Sequence, residues 1–118
     1  MDDPALAVLG PDSIFSLPYI KLEIAKCVYA DCGTYSMTEV TRCFGRCQTA
    51  KEVRDKVRCC CKNPRGGQEI MRKDGTMYKV PTINERAACS LLDALINRGA
   101  WEGELLENVK KMRAKMRG

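Results

Sequence analysis

The chain has 118 residues, of which 45% are hydrophobic and 30% are charged, and its formal net charge is +5. These values are ordinary for one globular domain that is long enough to bury a core. The sequence contains no histidine, which excludes a Ser-His-Asp or Cys-His nucleophile pair and leaves cysteine and carboxylate as zinc ligands. It also lacks a P-loop and any metal-carboxylate motif, so we do not expect an enzyme.

The N-terminal residues and the cysteines bear on the compartment. The first fifteen residues, MDDPALAVLGPDSIF, are acidic and have no basic, apolar export signal. No stretch approaches the roughly 18 apolar residues of a membrane span. We therefore expect a cytoplasmic protein without a membrane partner, whose eight cysteines stay reduced rather than forming a disulfide framework.

The first elements are an arm and a helix. Residues 1–15 contain two prolines and little periodicity, which predicts a flexible N-terminal arm. Proline suits the first turn of a helix, so we expect a helix from Pro18 to about Gly33, where glycine favours a left-handed stop. Its apolar face consists of Ile20, Ile24, Cys27 and Val28.

Two copies of a helix-start signature follow. In each copy, a hydroxyl residue is followed three positions later by a glutamate: Ser36 by Glu39, and Thr49 by Glu52. This is the spacing of a capping box. We expect a short helix from Ser36 that stops at Gly45, and a longer one from Thr49 toward Lys62. A short helix, a turn with a glycine and a longer helix make a helix-turn-helix.

The longer helix has two distinct faces. Apolar residues at helical spacing are predicted to face inward: Ala50, Val53, Val57 and Cys60. The opposite face carries four cations and one carboxylate: Lys51, Arg54, Asp55, Arg58 and Lys62. Such a face is either a solvated helix surface or a recognition helix that enters the major groove of DNA.

A hairpin signal comes next. Residues 68–80 read as two strands around Asp74-Gly75, with residues 65–67 leading in and Pro81 ending the second strand. Arg72 and Lys73 lie at the predicted tip.

In this order of elements, residues 16–81 resemble the winged helix-turn-helix family of DNA-binding proteins. The resemblance implies three helices and a β-hairpin wing. With two additional C-terminal helices, we expect a mainly helical α+β fold. The resemblance also implies a transcription regulator whose partner is double-stranded DNA. Phosphate contacts would come from Lys51, Arg58, Lys62, Arg65 and Lys73. Base contacts would come from Gln48, Thr49, Arg54, Asp55 and, at the wing, Arg72.

Residues 82–118 are predicted to form a C-terminal helical extension. A third capping box, Thr82 with Glu85, starts a helix that ends near Gly99. A last helix carries an apolar stripe made of Trp101, Leu105, Val109, Met112 and Met116. The stripe either packs back on the domain or forms a homodimer contact, and we favour a mixture that includes dimerisation.

The cysteines allow a second hypothesis. Cys43 and Cys47 together with Cys59 and Cys61 are chemically suited to a four-thiolate zinc site. Tyr29-Ala30-Asp31 followed by paired cysteines resembles the late antitermination proteins of lambdoid phages, which implies RNA polymerase as a further partner. We favour cysteines that act as small core residues and expect no cofactor. A non-catalytic protein-interaction module, acting through the last helix, is the third hypothesis.

Overall fold

The computed structural model describes residues 10–117, without the side chains of residues 63–68 and 79–81. Within these residues, two short 3-10 turns precede five α-helices and one two-stranded antiparallel sheet. In chain order they are α1 (Leu22–Cys32), α2 (Met37–Phe44), α3 (Ala50–Cys60), β1 (Lys62–Met71), β2 (Met77–Ile83), α4 (Glu85–Asn97) and α5 (Gly103–Ala114). The predicted mainly helical α+β class is confirmed. No described helix is both long enough and apolar enough to cross a membrane.

The segment before α1 is part of the core. Ile14 is completely buried, and its N–H donates to the Tyr35 carbonyl at 2.8 Å. The prediction of a flexible arm is therefore wrong for residues 10–15, because a buried isoleucine ties them down. Residues 1–9 of that arm lie outside the described residues.

Asp12 joins this segment to α2 and to the end of α4. Its carboxylate accepts hydrogen bonds from the hydroxyls of Ser36 at 2.5 Å and Thr38 at 2.8 Å, and from the Arg98 guanidinium at 3.1 Å. The hydrogen bonds from Ser36 and Thr38, with the nearby charge of Arg98, lower the pKa of Asp12 below its ordinary value. Three separate parts of the chain thus meet at one ionised carboxylate.

Helix α1 begins later than predicted. Tyr19 has φ 65°, a left-handed conformation that no α-helix contains, so the helix starts at Leu22 instead of Pro18. The predicted stop is confirmed, because Gly33 is left-handed at φ 73° and its N–H donates to the Tyr29 carbonyl.

Helices α2 and α3 begin at the predicted hydroxyl residues. The Ser36 hydroxyl accepts from the Glu39 N–H at 3.5 Å, and the Thr49 hydroxyl accepts from the Glu52 N–H at 3.1 Å. The Glu52 carboxylate also accepts from the Gln48 N–H at 2.9 Å, one residue earlier than a standard capping box places it. Helix α3 ends at Cys60 rather than Lys62, because Lys62 already pairs with Ile83 in the sheet.

The hairpin is longer than predicted and irregular at its base. Both strands extend past the expected ends, so the expectation that Pro81 ends β2 is wrong. Asn63 pairs with Thr82 and Gln68 pairs with Val80, which leaves residues 64–67 as a bulge opposite Pro81. Because Pro81 has no N–H to donate to the partner strand, the ladder loses no donor from β2 at this interruption.

The C-terminal helices belong to the same core as the rest of the chain. Leu91, Leu95, Trp101 and Val109 form one buried cluster with Ile14, which also contains residues of α1, α2 and α3. The apolar stripe of the last helix packs back on the domain, which is one of its two predicted roles: Trp101 and Val109 are buried, and Leu105, Met112 and Met116 pack against the cluster.

Helix α4 also differs from the prediction at its start. Asn84, not Thr82, is the N-cap, and its side-chain oxygen accepts from the Ala87 N–H at 3.2 Å. Thr82 cannot cap because it is still a strand residue paired with Asn63.

A close backbone contact fixes the turn between α2 and α3. The Trp101 indole N–H donates to the Phe44 carbonyl at 3.0 Å, in a buried position. A Cβ at Gly45 would lie 3.0 Å from the Ala100 carbonyl oxygen and 3.1 Å from that of Thr41. Gly45 itself has φ −64°, so glycine is needed here for close approach and not for an unusual backbone angle.

The burial of Ile14 gives the first prediction. We expect Ile14→Ala to lower the free energy of unfolding by about 2–5 kcal/mol, because the substitution removes buried methyl groups and leaves a cavity. Urea denaturation followed by circular dichroism measures this. Leu22→Ala is the matched control, because Leu22 is 51% exposed and should lose little stability. Equal stability of the Ile14→Ala variant and the parent would mean that the segment is a loose arm.

Candidate nucleic-acid interface

Helix α3 is buried along one side and exposed along the other. Val53 and Val57 are fully buried and Cys60 nearly so. The residues predicted on the opposite face are all exposed: Lys51, Arg54, Asp55, Arg58 and Lys62. The predicted apolar face of α3 is therefore confirmed. The opposite side of the helix exposes three of the four predicted cations, because Lys62 lies in β1, and it exposes Glu52 as well. Nucleic-acid binding by that side stays a prediction.

Two acidic groups modify the charge of this face. The Arg54 Nε lies 3.7 Å from a carboxylate oxygen of Asp55, and both side chains are about half exposed, so the pair is worth little in water. Glu52 is occupied by its hydrogen bond to the Gln48 N–H. The three cations of α3 together with Lys62 of β1 outnumber these two carboxylates, so the surface keeps a net positive charge.

Lys56 on the same helix has a structural role. It pairs with Asp31 of α1 and lies 5.1 Å from the centre of the Phe44 ring. Burial alone would lower the pKa of Lys56, but the hydrogen bond to Asp31 raises it above its ordinary value. Lys56 therefore stays charged and fastens α3 to α1.

The two residues before α3 have limited freedom to read bases. The Thr49 hydroxyl already accepts the Glu52 N–H as the helix cap, which fixes its position and leaves it fewer groups for a base. Gln48 is exposed and only its backbone N–H is bound, so its amide side chain is the better base-reading candidate of the two.

The hairpin tip is cationic as predicted. The Arg72 guanidinium lies 4.7 Å from the centre of the Tyr78 ring, which holds it against the hairpin, and Lys73 is exposed beside it. The turn is closed by the Arg72 N–H donating to the Thr76 carbonyl at 2.8 Å, with Gly75 left-handed at φ 88°. The side chain of Arg65, a predicted phosphate contact, lies outside the described side chains.

Sequence reasoning missed cations that the fold brings together. Lys115 of the C-terminal segment shares a cavity with Arg54 and Arg58, and three arginines line a shallow depression beside the turn: Arg42, Arg46 and Arg98. Two of these three are neutralised locally, Arg42 by Glu39 at 2.8 Å and Arg98 by Asp12 at 3.1 Å. The helical spacing of residues 110–117 could have placed Lys115 on a surface of the last helix. Nothing in the sequence indicated that this surface lies beside Arg54 and Arg58.

The cysteines do not form the set considered for zinc. Cys59 is exposed whereas Cys61 is buried in the core, and Cys43 contacts Cys32. The part of the chain that the structure describes holds no group of three or more cysteine, aspartate or glutamate side chains able to bind one metal ion. The proposed grouping of Cys43, Cys47, Cys59 and Cys61 is therefore wrong, because successive residues at the end of α3 point in different directions.

The core role applies to some of the cysteines. Cys60, Cys61 and Cys89 are buried, and the others are partly or fully exposed. Burial raises the pKa of Cys60 and of Cys61, each to about 12. These two thiols stay protonated near neutral pH and behave as small apolar side chains.

Comparisons with protein-family models, curated proteins and solved structures returned no match for this chain. Function is therefore inferred from the geometry of α3 and the hairpin.

The separation of the cysteines gives the second prediction. Protein purified under reducing conditions without added metal should contain substoichiometric zinc by elemental analysis. Its melting temperature should be the same with and without a strong chelator, because no structural metal contributes to folding. Stoichiometric zinc, with unfolding on its removal, would contradict this account of the cysteines.

Proposed function

We propose that this protein is a winged helix-turn-helix DNA-binding transcription regulator, with α3 as the recognition helix and the β1–β2 hairpin as the wing. One observation carries the proposal: α3 is anchored by its apolar side and exposes three cations, Lys51, Arg54 and Arg58, against two carboxylates, with Lys62 exposed at the start of β1. A straight helix with such a face fits the width of the major groove, and its cations are suited to the flanking phosphates.

Position along α3 divides the roles. Lys51 lies in the first turn and Lys62 follows the last, so both are suited to phosphates at the groove edges. Arg54 lies one turn into the helix, where a guanidinium can donate to guanine O6 and N7 together. Arg58 lies one turn further on, where a phosphate is the better partner.

The hairpin supports the same proposal. β1 starts directly after α3, so the wing follows the recognition helix without a spacer. Lys73 is then suited to contact the DNA backbone, and Arg72 is suited to contact the adjacent groove.

Two further parts of the prediction lose their structural basis. The stripe expected to form a homodimer contact packs within the chain, so dimerisation stays a prediction without an assigned surface. The zinc-dependent antitermination hypothesis, with RNA polymerase as partner, loses its ligand set.

A protein-interaction module is the second candidate function. The hairpin is a better candidate for its interaction surface than the last helix. Its outer part exposes two cross-strand apolar pairs, Ile70 with Tyr78 and Met71 with Met77. Exposed apolar side chains on both faces of a hairpin suit a protein partner. Under this candidate, a Met71→Ser/Met77→Ser variant should no longer bind the protein partner, whereas charge changes on α3 should leave that binding unchanged.

The DNA-binding proposal is tested by two single variants. After selection of a preferred site from random duplexes, Arg54→Ala should weaken binding to that site by about 1–3 kcal/mol and relax preference at one position. Arg58→Ala should weaken binding to all duplex sequences alike. It should also reduce, by about one, the slope of the logarithm of the binding constant against the logarithm of salt concentration. Fluorescence anisotropy with labelled duplexes measures both.

Lys111→Ala is the control, because it removes an exposed cation of α5 to which no DNA contact is assigned. All three variants should have a free energy of unfolding within about half a kcal/mol of the parent, since exposed positions away from caps rarely affect stability. Unchanged affinity in both arginine variants would refute α3 as the recognition helix.

A further inference from the structure

A cavity of about 180 Å³ lies where α3, the end of β2, α4 and the C-terminal segment meet. Its apolar part consists of Val57, Ile83, Leu92, Met112 and Met116. Val57 and Leu92 are fully buried, so they form a fixed floor. The two methionines are partly buried and unbranched, which lets them adjust to a ligand.

The polar part of the same cavity is mainly cationic. Arg54, Arg58 and Lys115 line it together with one carboxylate, Glu85. Glu85 accepts a hydrogen bond from the Arg117 N–H at 2.9 Å, and the three cations outnumber this one carboxylate. The cavity thus combines an apolar floor with an excess of positive charge contributed by exposed residues.

Size and charge together define the ligand class. An apolar cavity of roughly 150 Å³ is sufficient to bind benzene in a protein interior. Three cations beside such a floor favour a single anionic head group, and guanidinium groups bind carboxylates through paired hydrogen bonds. We infer that this cavity binds a small monocarboxylate whose apolar body is about the size of one ring.

The site would also regulate the proposed function. Arg54 and Arg58 are the side chains assigned to a base and a phosphate, and a carboxylate in the cavity would engage the same guanidinium groups. Ligand and DNA therefore compete for them, so the ligand lowers DNA affinity. This regulatory step rests on the proposed function, whereas binding of the carboxylate does not.

Benzoate is the probe, and isothermal titration calorimetry on the full chain is the measurement. We expect benzoate to bind with a dissociation constant below about 1 mM. Benzamide, a neutral molecule of the same shape, should bind at least about tenfold more weakly because it lacks the charge. Inorganic phosphate should not displace benzoate, because it has no apolar body.

Two variants locate the site. Lys115→Ala should weaken benzoate binding about tenfold by removing one charged contact, while Lys111→Ala, an equivalent loss of charge outside the cavity, should leave it unchanged. Met116→Trp should abolish binding by filling the cavity. Absence of benzoate binding, or binding that neither cavity variant alters, would overturn the inference.

A second titration separates this inference from the proposed function. Saturating benzoate should weaken duplex DNA binding by the parent at least about tenfold, and the Met116→Trp variant should bind DNA normally and ignore benzoate. Benzoate binding by a protein with no DNA affinity would support the site and refute the proposed function. Benzoate binding with unchanged DNA affinity would overturn the competition.

Discussion

The close contact between the turn after α2 and the loop after α4 determines how the rest of the molecule is arranged. A Cβ at Gly45 would lie only 3.0 Å from the Ala100 carbonyl oxygen, so a side chain there would require the backbone to move by a few tenths of an ångström. The neighbouring Trp101 indole N–H donates to the Phe44 carbonyl. The Phe44 carbonyl also accepts from the Cys47 N–H at 3.1 Å. Loss of the contact to Trp101 would leave the buried indole N–H without an acceptor, which is costly, so this pair of contacts holds the turn firmly. The C-terminal helices are consequently part of the core.

That arrangement gives α3 a defined setting. Lys56 ties the helix to α1 through Asp31, and Val57 faces the cavity that α3 shares with α4 and the C-terminal segment. The helix is thereby anchored on one side while its cations stay in solvent. Because Arg54 and Arg58 border both solvent and this cavity, the same two side chains enter the proposed DNA contact and the inferred ligand site. A link between binding and regulation then needs no moving domain, only competition for two guanidinium groups.

Local features of the structure were predictable from the sequence, because they depend on residues a few positions apart. The hydroxyl caps at Ser36 and Thr49 and the stop at Gly33 are of this kind. Features that depend on distant residues were not predictable. The sequence around Ile14 predicts a loose arm, and only the fold shows that this side chain is buried in the core. Asn84 instead of Thr82 caps α4 because β2 continues through Ile83. The candidate site divides in the same way: helical spacing predicted the exposed face of α3, but not that Lys115 lies beside it.

The salt dependence of duplex binding by the unmodified protein tests the central claim most directly. Five side chains are assigned to phosphates: Lys51, Arg58, Lys62, Arg65 and Lys73. If each releases counterions from one phosphate, the logarithm of the binding constant should fall with the logarithm of salt concentration with a slope of about −4.5. Fluorescence anisotropy with mixed-sequence duplexes at several salt concentrations measures this slope. A slope near that value supports α3 and the hairpin as a DNA-binding surface, and no affinity for duplex DNA at low salt would contradict it.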